Sequence, residues 1–216
     1  MFRLIVFDLD GTLIDSRRDL AESANAVLGE HGCSSLEEDA VGRMVGDGAA
    51  TLVARAFEAS GRVQPPGALK RFLEIYDGRL LACTRPYDGV PAMLQAAKAR
   101  AAIAVLTNKP LAATRRILAG LDLERFFRAA SVVGADGPLP RKPDPAGLLF
   151  LADAAGVAAR EVLMVGDSII DWKTAQAAGA VACVARYGFG FEGFPMGCLR
   201  AGDTVIDEPP QLVKLL

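Results

Sequence analysis

The chain has 216 residues, 51% hydrophobic and 23% charged, a balance that belongs to a folded globule and excludes disorder as its main state. Basic residues number 24 and acidic ones 26, and a pI near 5.5 leaves no general basic surface for nucleic acid. Mean hydropathy is +0.27, much of it alanine, yet no apolar run approaches the roughly 18 residues of a membrane helix. Neither nucleic acid nor a membrane is therefore expected as a partner.

The first apolar run, Leu4 to Phe7, stops at Asp8. It is too short for an export signal, so the expected location is the cytoplasm. It reads as a strand buried on both faces. From Asp15 to about Cys83 no strand pattern follows. Helical patterns over Asp19–His31, Ala49–Ala59 and Leu69–Leu81 fill that stretch, the last two separated by Gly61–Gly67 with its Pro65-Pro66 pair. Strand patterns return at Ile103–Leu106, Ser131–Val133, Val162–Val165, Val181–Val184 and Thr204–Ile206. Helical patterns at Val90–Arg100, Leu111–Leu121, Ala146–Ala155 and Trp172–Ala178 alternate with them.

That alternation predicts an α/β fold, a parallel sheet flanked by helices. Residues 1–14 and 84–216 are expected to form one α/β core. Residues 15–83 are expected to form a helical domain inserted directly after the first strand. Such an insertion sits over the usual ligand crevice and reads as a lid hinged near Asp15-Ser16 and Thr84-Arg85-Pro86.

Four cysteines, Cys33, Cys83, Cys183 and Cys198, are scattered without a CxxC pair and read as thiols of a reducing compartment. His31 is the one histidine. That removes Ser-His-Asp and Cys-His catalysis unless His31 is the base, and it argues against a histidine-rich zinc site. The informative polar residues stand at strand ends. Asp8 and Asp10 follow the first strand, Thr107 and Asn108 the second pattern, and Asp167 the Val162 run, with Asp171 just beyond. In an open parallel sheet these ends form the ligand crevice. Lys142, in Arg141-Lys142-Pro143-Asp144-Pro145, can lean over it.

Several carboxylates in one cleft repel each other unless a cation joins them. Without histidine or cysteine they favour a hard ion such as Mg2+. Lys142 adds positive charge and Thr107 a hydroxyl donor. Such a set suits a phosphoryl group, whose transfer depends on positioning and charge stabilisation. One carboxylate can attack phosphorus, and a second can give and take a proton.

Asp8-Leu9-Asp10-Gly11-Thr12-Leu13 resembles the first signature of the haloacid dehalogenase-like (HAD) phosphotransferases. Leu106-Thr107-Asn108 resembles the second, Lys142-Pro143 the third, and Gly166-Asp167-Ser168-Ile169-Ile170-Asp171 the fourth. Order and spacing match over nearly the whole chain. The resemblance implies a Rossmann-like core with a small helical cap, and Mg2+ as cofactor. It implies Asp8 as nucleophile, Asp10 as proton donor to the leaving alcohol and then base toward water, and Gly11 as the residue of the sharp turn. It implies that Thr107 and the backbone amides of Leu9 and Asn108 bind phosphoryl oxygens, and that Lys142 neutralises Asp8 and the phosphoryl group. Asp8, the Asp10 carbonyl and Asp167 would hold Mg2+, with Asp171 at or just behind it.

Asp10 separates reactions within the family. Dehalogenases lack this second aspartate because halide leaves without a proton, whereas an alkoxide needs one. A phosphatase of small phosphorylated metabolites is the expectation. Lys70, the one lysine of residues 15–83, offers no Schiff base at the start of the cap for phosphonate cleavage. Phosphomutase activity stays open. Arg43-Met44-Val45-Gly46-Asp47-Gly48 resembles the substrate-specificity loop of phosphoglycolate phosphatase-type members, which makes Arg43, Gly46, Asp47 and Gly48 candidate substrate contacts. Arg43 and Arg55 are candidate cations for a carboxylate, while Asp47 opposes an anionic tail. Inorganic pyrophosphate and small sugar phosphates therefore stay open as substrates. A non-hydrolytic phospho-acceptor or regulator shares the Asp, Thr and Lys trio, but needs neither Asp10 nor a lid. The chain is expected to act as a monomer or homodimer.

Overall fold

The computed structural model describes residues 1–216. In chain order it contains β1 (Leu4–Phe7), β2 (Ile14–Asp15), α1 (Arg17–Glu30), α2 (Glu38–Gly42), α3 (Ala49–Ala59), α4 (Ala68–Asp77) and β3 (Arg85–Pro86). There follow α5 (Val90–Lys98), β4 (Ala102–Leu106), α6 (Leu111–Gly120), β5 (Val132–Val133), α7 (Ala146–Ala155), β6 (Val162–Gly166), α8 (Ile169–Ala178), β7 (Val181–Ala185) and β8 (Thr204–Ile206).

Six strands form one sheet in the order β5-β4-β1-β6-β7-β8, with every pairing parallel. The α/β sheet flanked by helices is thus the architecture that the strand–helix alternation predicts. β1 lies between β4 and β6, with Phe7 level with Val105 on one side and Val165 on the other. The three chains therefore leave the sheet together, where strand order reverses and a crevice opens. Alternate side chains of β1 serve opposite faces. Ile5 and Phe7 join the larger apolar cluster, and Leu4 and Val6 the smaller one against α7.

The larger cluster continues off the sheet into the helices that follow β1, through Leu20, Leu52, Phe57 and Phe72. In that segment α1 packs against α2, α3 and α4. It buries Leu20, Ala21, Ala24, Val27 and Leu28, a single stripe at helical spacing. No helix of the chain is long and apolar enough to cross a membrane. All four cysteines are free thiols.

Four local features differ from the sequence expectation. β2 and β3 form an antiparallel pair, Ile14 with Pro86 and Asp15 with Arg85, joining the two ends of the helical segment. Two residues per strand are too few for a hydropathy period. The five-residue α2 escapes for the same reason. α8 starts at Ile169 rather than Trp172, because the Ser168 side chain caps it while the Asp171 carboxylate reaches back to the Ser168 amide. α4 ends at Asp77, where Gly78 interrupts the pattern.

The strand pair is clamped by a buried carboxylate. Asp19, in the first turn of α1, accepts hydrogen bonds from the amides of Cys83 (2.9 Å) and Thr84 (2.8 Å) and from the Thr84 hydroxyl (2.8 Å). Replacing Asp19 by alanine strands these donors and is expected to lower stability by roughly 2–4 kcal/mol. Urea unfolding checks this; an unchanged midpoint contradicts the clamp.

Candidate active site

Three strand ends meet around one buried point. Asp8 follows β1, Thr107 follows β4, and Asp167 follows β6; all three are buried, as are Lys142 and Asp171. After Asp8 the chain turns at once. The amides of Thr12, Leu13 and Ile14 all bond to the Leu9 carbonyl, at 3.3, 2.9 and 3.1 Å. Gly11 makes this possible at φ +86°, and a Cβ there would lie 1.8 Å from Asp167 Oδ2. The turn brings Asp10 beside the site, where Ser16 Oγ donates to Asp10 Oδ1 at 2.6 Å.

Asp8, Asp167 and Asp171 each present a carboxylate oxygen within 4.8 Å of the others. Lys142 Nζ joins them, 2.8 Å from Asp8 Oδ1 and 2.6 Å from Asp171 Oδ1. Its contact with Asp8 is an ion pair without hydrogen-bond direction, so the buried Asp8 Oδ1 lacks a donor of its own. Both Asp171 oxygens are engaged, Oδ1 by Lys142 and Oδ2 by the Ser168 amide (3.1 Å) and hydroxyl (2.6 Å). Asp167 accepts from Thr12 Oγ1 (3.3 Å) and from the Gly190 amide (2.7 Å). One ammonium does not balance three buried carboxylates. All-oxygen donors with an unfilled lone pair on Asp8 fit a hard divalent cation.

The charges feel this crowding. Burial pushes the Asp8 carboxyl up from 3.8 to about 7; Lys142 pulls it down, while Asp171 and Asp10 push it further up. Burial, with Asp171 and Asp8 repelling, also holds Asp167 well above the carboxylate range. Burial works against the Lys142 ammonium, but Asp171 and Asp8 outweigh it and leave its pKa above that of an ordinary lysine.

Lys142 is positioned by Asn108. The Asn108 carboxamide accepts from the Lys142 amide (3.0 Å) and donates to the Lys142 carbonyl (2.9 Å), as a paired strand would. The same nitrogen lies 2.8 Å from the Gly46 carbonyl of the helical segment, so one side chain ties both sides of the crevice. Thr107 Oγ1 accepts from the Lys109 amide at 3.2 Å.

A cavity of about 220 Å³ opens from Asp8 and Asp10 toward the helical segment. Gly46 and Gly48 line it; Arg43 and Asp47, from the same loop, do not. Arg43 instead pairs with Glu192 at 3.0 Å, and Asp47 pairs with Arg55 at 2.6 Å. Arg55 also donates to the Met44 carbonyl at 3.1 Å. The loop's charges are thus spent on each other and on the protein surface.

Sequence reasoning passed over Lys109 and Tyr76. The Lys109 ammonium is buried, 3.3 Å from Asp10 Oδ2 and 2.6 Å from the Tyr76 hydroxyl. It also passed over the loop after β7. A Cβ at Gly188 would lie 2.1 Å from the Gly11 carbonyl oxygen and 2.3 Å from Asp167 Cβ. The Tyr187 hydroxyl donates to the Thr12 carbonyl at 2.9 Å. A glycine–aromatic–glycine run at Gly188-Phe189-Gly190 was the available signal.

A buried carboxylate and a hydroxyl at a cavity, backed by an ammonium and an acid cluster that could hold a cation, suit the hydrolysis of an anionic group. Comparison with known proteins agrees with that class. The family model for haloacid dehalogenase-like hydrolases matches residues 2–179. A phosphoglycolate phosphatase of Rhodospirillum rubrum is 44% identical over 210 residues, 93% of this chain and 86% of its own length. Phosphoglycolate phosphatase 1 of Pseudomonas aeruginosa is 35% identical over 219 residues, 98% of this chain and 75% of the relative. A crystal structure of "a predicted phosphoglycolate phosphatase" from Haemophilus somnus superposes with a TM-score of 0.89 at 30% identity, covering 99% of this chain and 97% of that one. The chain belongs to the haloacid dehalogenase-like hydrolase family, and it is an enzyme.

Two outcomes follow from the geometry. Gly188→Ala drives a methyl into Asp167 and the Gly11 carbonyl, and is expected to weaken divalent-cation affinity or turnover about 10–100-fold; titration with the cation and initial rates check this, and wild-type values would contradict it. The second concerns pH. Because the folded pKa of Asp8 is raised from 3.8 to about 7, its ionisation opposes folding increasingly as pH rises through that window and fully above it. A divalent cation relieves that penalty and competes with protons below it. The cation-induced rise in Tm should be larger at about pH 8 than at about pH 5; equal shifts in scanning calorimetry would contradict the assignment.

Proposed function

We propose that this hydrolase is a Mg2+-dependent phosphatase that cleaves a small-metabolite phosphomonoester through an aspartyl-phosphate on Asp8. The observation that carries the reading is the convergence of Asp8, Thr107, Lys142 and Asp167 at the carboxyl ends of β1, β4 and β6, beside Asp10. Phosphoglycolate is the substrate we favour, on the strength of the relatives' names. The alternatives are inorganic pyrophosphate and sugar phosphates. Apolar residues such as Val45, Leu52 and Phe72 on the cavity wall offer little to sugar hydroxyls, which favours a short substrate.

In this reading an Asp8 oxygen attacks phosphorus and the ester oxygen departs. Asp10, oriented by Ser16 and Lys109, gives that oxygen its proton. It then takes a proton from the water that cleaves the acyl phosphate. Thr107 and the amides of Leu9 and Asn108 receive phosphoryl oxygens, and Lys142 offsets charge on Asp8 and on the transferred group. Asp8, Asp167 and the Asp10 carbonyl would hold Mg2+, which would supply charge neutralisation to the phosphoryl oxygens. Asp171, with its own oxygens committed to Lys142 and Ser168, would act on the ion through its neighbours. Residues 15–83 act as a cap on a core of residues 1–14 and 84–216, hinged at the β2–β3 pair, and closure excludes bulk water. The free thiols suit a cytoplasmic enzyme, monomeric or homodimeric.

The test is phosphate release from a panel holding phosphoglycolate, pyrophosphate, sugar phosphates and p-nitrophenyl phosphate, with Mg2+ and with EDTA. Release that requires the metal is expected, absent in Asp8→Asn and lowered about 10²–10⁴-fold in Asp10→Asn. Release that survives EDTA or Asp8→Asn would overturn the reading, as would stable phosphorylation without turnover.

A further inference from the structure

The phosphoryl chemistry leaves one buried cation without a substrate role. Lys109 is the only basic side chain lining the cavity. Lys142 lies behind Asp8, while Arg43 and Arg55 are paired elsewhere. The Lys109 ammonium lies 2.6 Å from the Tyr76 hydroxyl, which accepts from it, and 3.3 Å from Asp10 Oδ2. Its charge also faces the Tyr76 ring, 4.4 Å from the centroid.

Both groups keep a donor in hand. An ammonium has three N–H bonds; Tyr76 takes one, and Asp10, an ion pair at 3.3 Å, can take at most one more. The Tyr76 hydroxyl accepts from Lys109 and so retains its own O–H for an acceptor in the cavity. Burial pushes Tyr76 up to about 12, so that proton is present at neutral pH. Burial acts against the Lys109 charge, but Asp10 and Tyr76 outweigh it, and its pKa stands above the ordinary lysine value. Much of the wall around them is apolar, with Val45, Leu52 and Phe72. A second anion on a ligand would stay unpaired there unless it met Lys109.

We infer that the Lys109 ammonium and the Tyr76 hydroxyl form the subsite that receives a carboxylate on the alcohol side of the ester. The enzyme is thereby selective for short phosphate esters of hydroxy-carboxylic acids. The assignment rests on the proposed phosphatase reading for the place of the phosphoryl group. Tyr76 lies on α4 and Lys109 follows β4, so the subsite is complete only when the helical segment sits against the sheet. It also lies beside Asp10, within reach of a short acid whose ester oxygen faces that carboxylate.

The test is calorimetric binding of two non-hydrolysable phosphonates with Mg2+ present, 3-phosphonopropionate and propylphosphonate, which differ in one carboxylate. Wild type is expected to prefer the carboxylated ligand about 10–100-fold. Lys109→Met should abolish that preference, Lys109→Arg should retain part of it, and Tyr76→Phe should reduce it severalfold. No preference in wild type, or an unchanged one in Lys109→Met, overturns the inference. If Lys109→Met fails to fold, Tyr76→Phe decides: a reduced preference supports the subsite and an intact one overturns it. Turnover of the ester panel is a separate readout. Failure there would strike the phosphatase reading, whereas loss of ligand preference alone would strike only the subsite.

Discussion

Everything at this site depends on keeping like charges together. Asp8, Asp167 and Asp171 are buried within 4.8 Å of one another, with Lys142 as the one cation in direct contact. Isolated carboxylates in such surroundings would disperse or take up protons. They cannot disperse because each is fixed by backbone that serves another purpose. Asp8 and Asp167 are the continuations of adjacent parallel strands, and Asp171 caps the helix that leaves β6. The packing of the sheet thus holds the cluster in a state that its electrostatics oppose. That is the condition under which a hard cation and a phosphoryl anion gain most from entering.

The close approach of three backbone segments completes the arrangement. Gly11 stands against Asp167, and Gly188 stands against both. Any side chain at these points would push the carboxylate away from its partners. Asn108 and Lys109 then carry the organisation outward from β4. One binds the Lys142 backbone and the Gly46 carbonyl, and the other binds Asp10 and Tyr76. Two successive residues therefore couple the acid cluster to the helical segment on both flanks of the cavity.

The sheet and the meeting of Asp8, Thr107 and Asp167 were legible because strands buried on both faces read as unbroken apolar runs, whereas Lys142, which follows no such run, was legible through the resemblance of Lys142-Pro143 to the third signature. Val162 to Val165 followed by Asp167 announces both a strand and the polar group at its mouth. The β2–β3 pair and α2 were not legible, since two and five residues show no period. Lys109 was not legible for a different reason. In Asn108-Lys109-Pro110 it has the neighbours of a solvated loop lysine, and only the tertiary fold brings Tyr76 and Asp10 to it. Gly188 and Gly190 lie beyond the last recognisable motif, and their importance is a matter of their approach to Asp167 and, for Gly188, to the Gly11 carbonyl.

The loop after α2 shows how far local charge misleads about specificity. Read along the chain, Arg43 and Arg55 offer positive charge to a substrate and Asp47 offers repulsion. In the fold, Asp47 and Arg55 pair with each other, and Arg43 pairs with Glu192. A paired, partly exposed charge projects little field into a neighbouring cavity, because water and its partner screen it. Lys109 is paired as well, but it is buried at the cavity wall, where screening is weak and a free donor remains. Asp47, neutralised by Arg55, therefore does not exclude an anionic substrate. The selection of a ligand by charge rests with the one cation that borders the cavity.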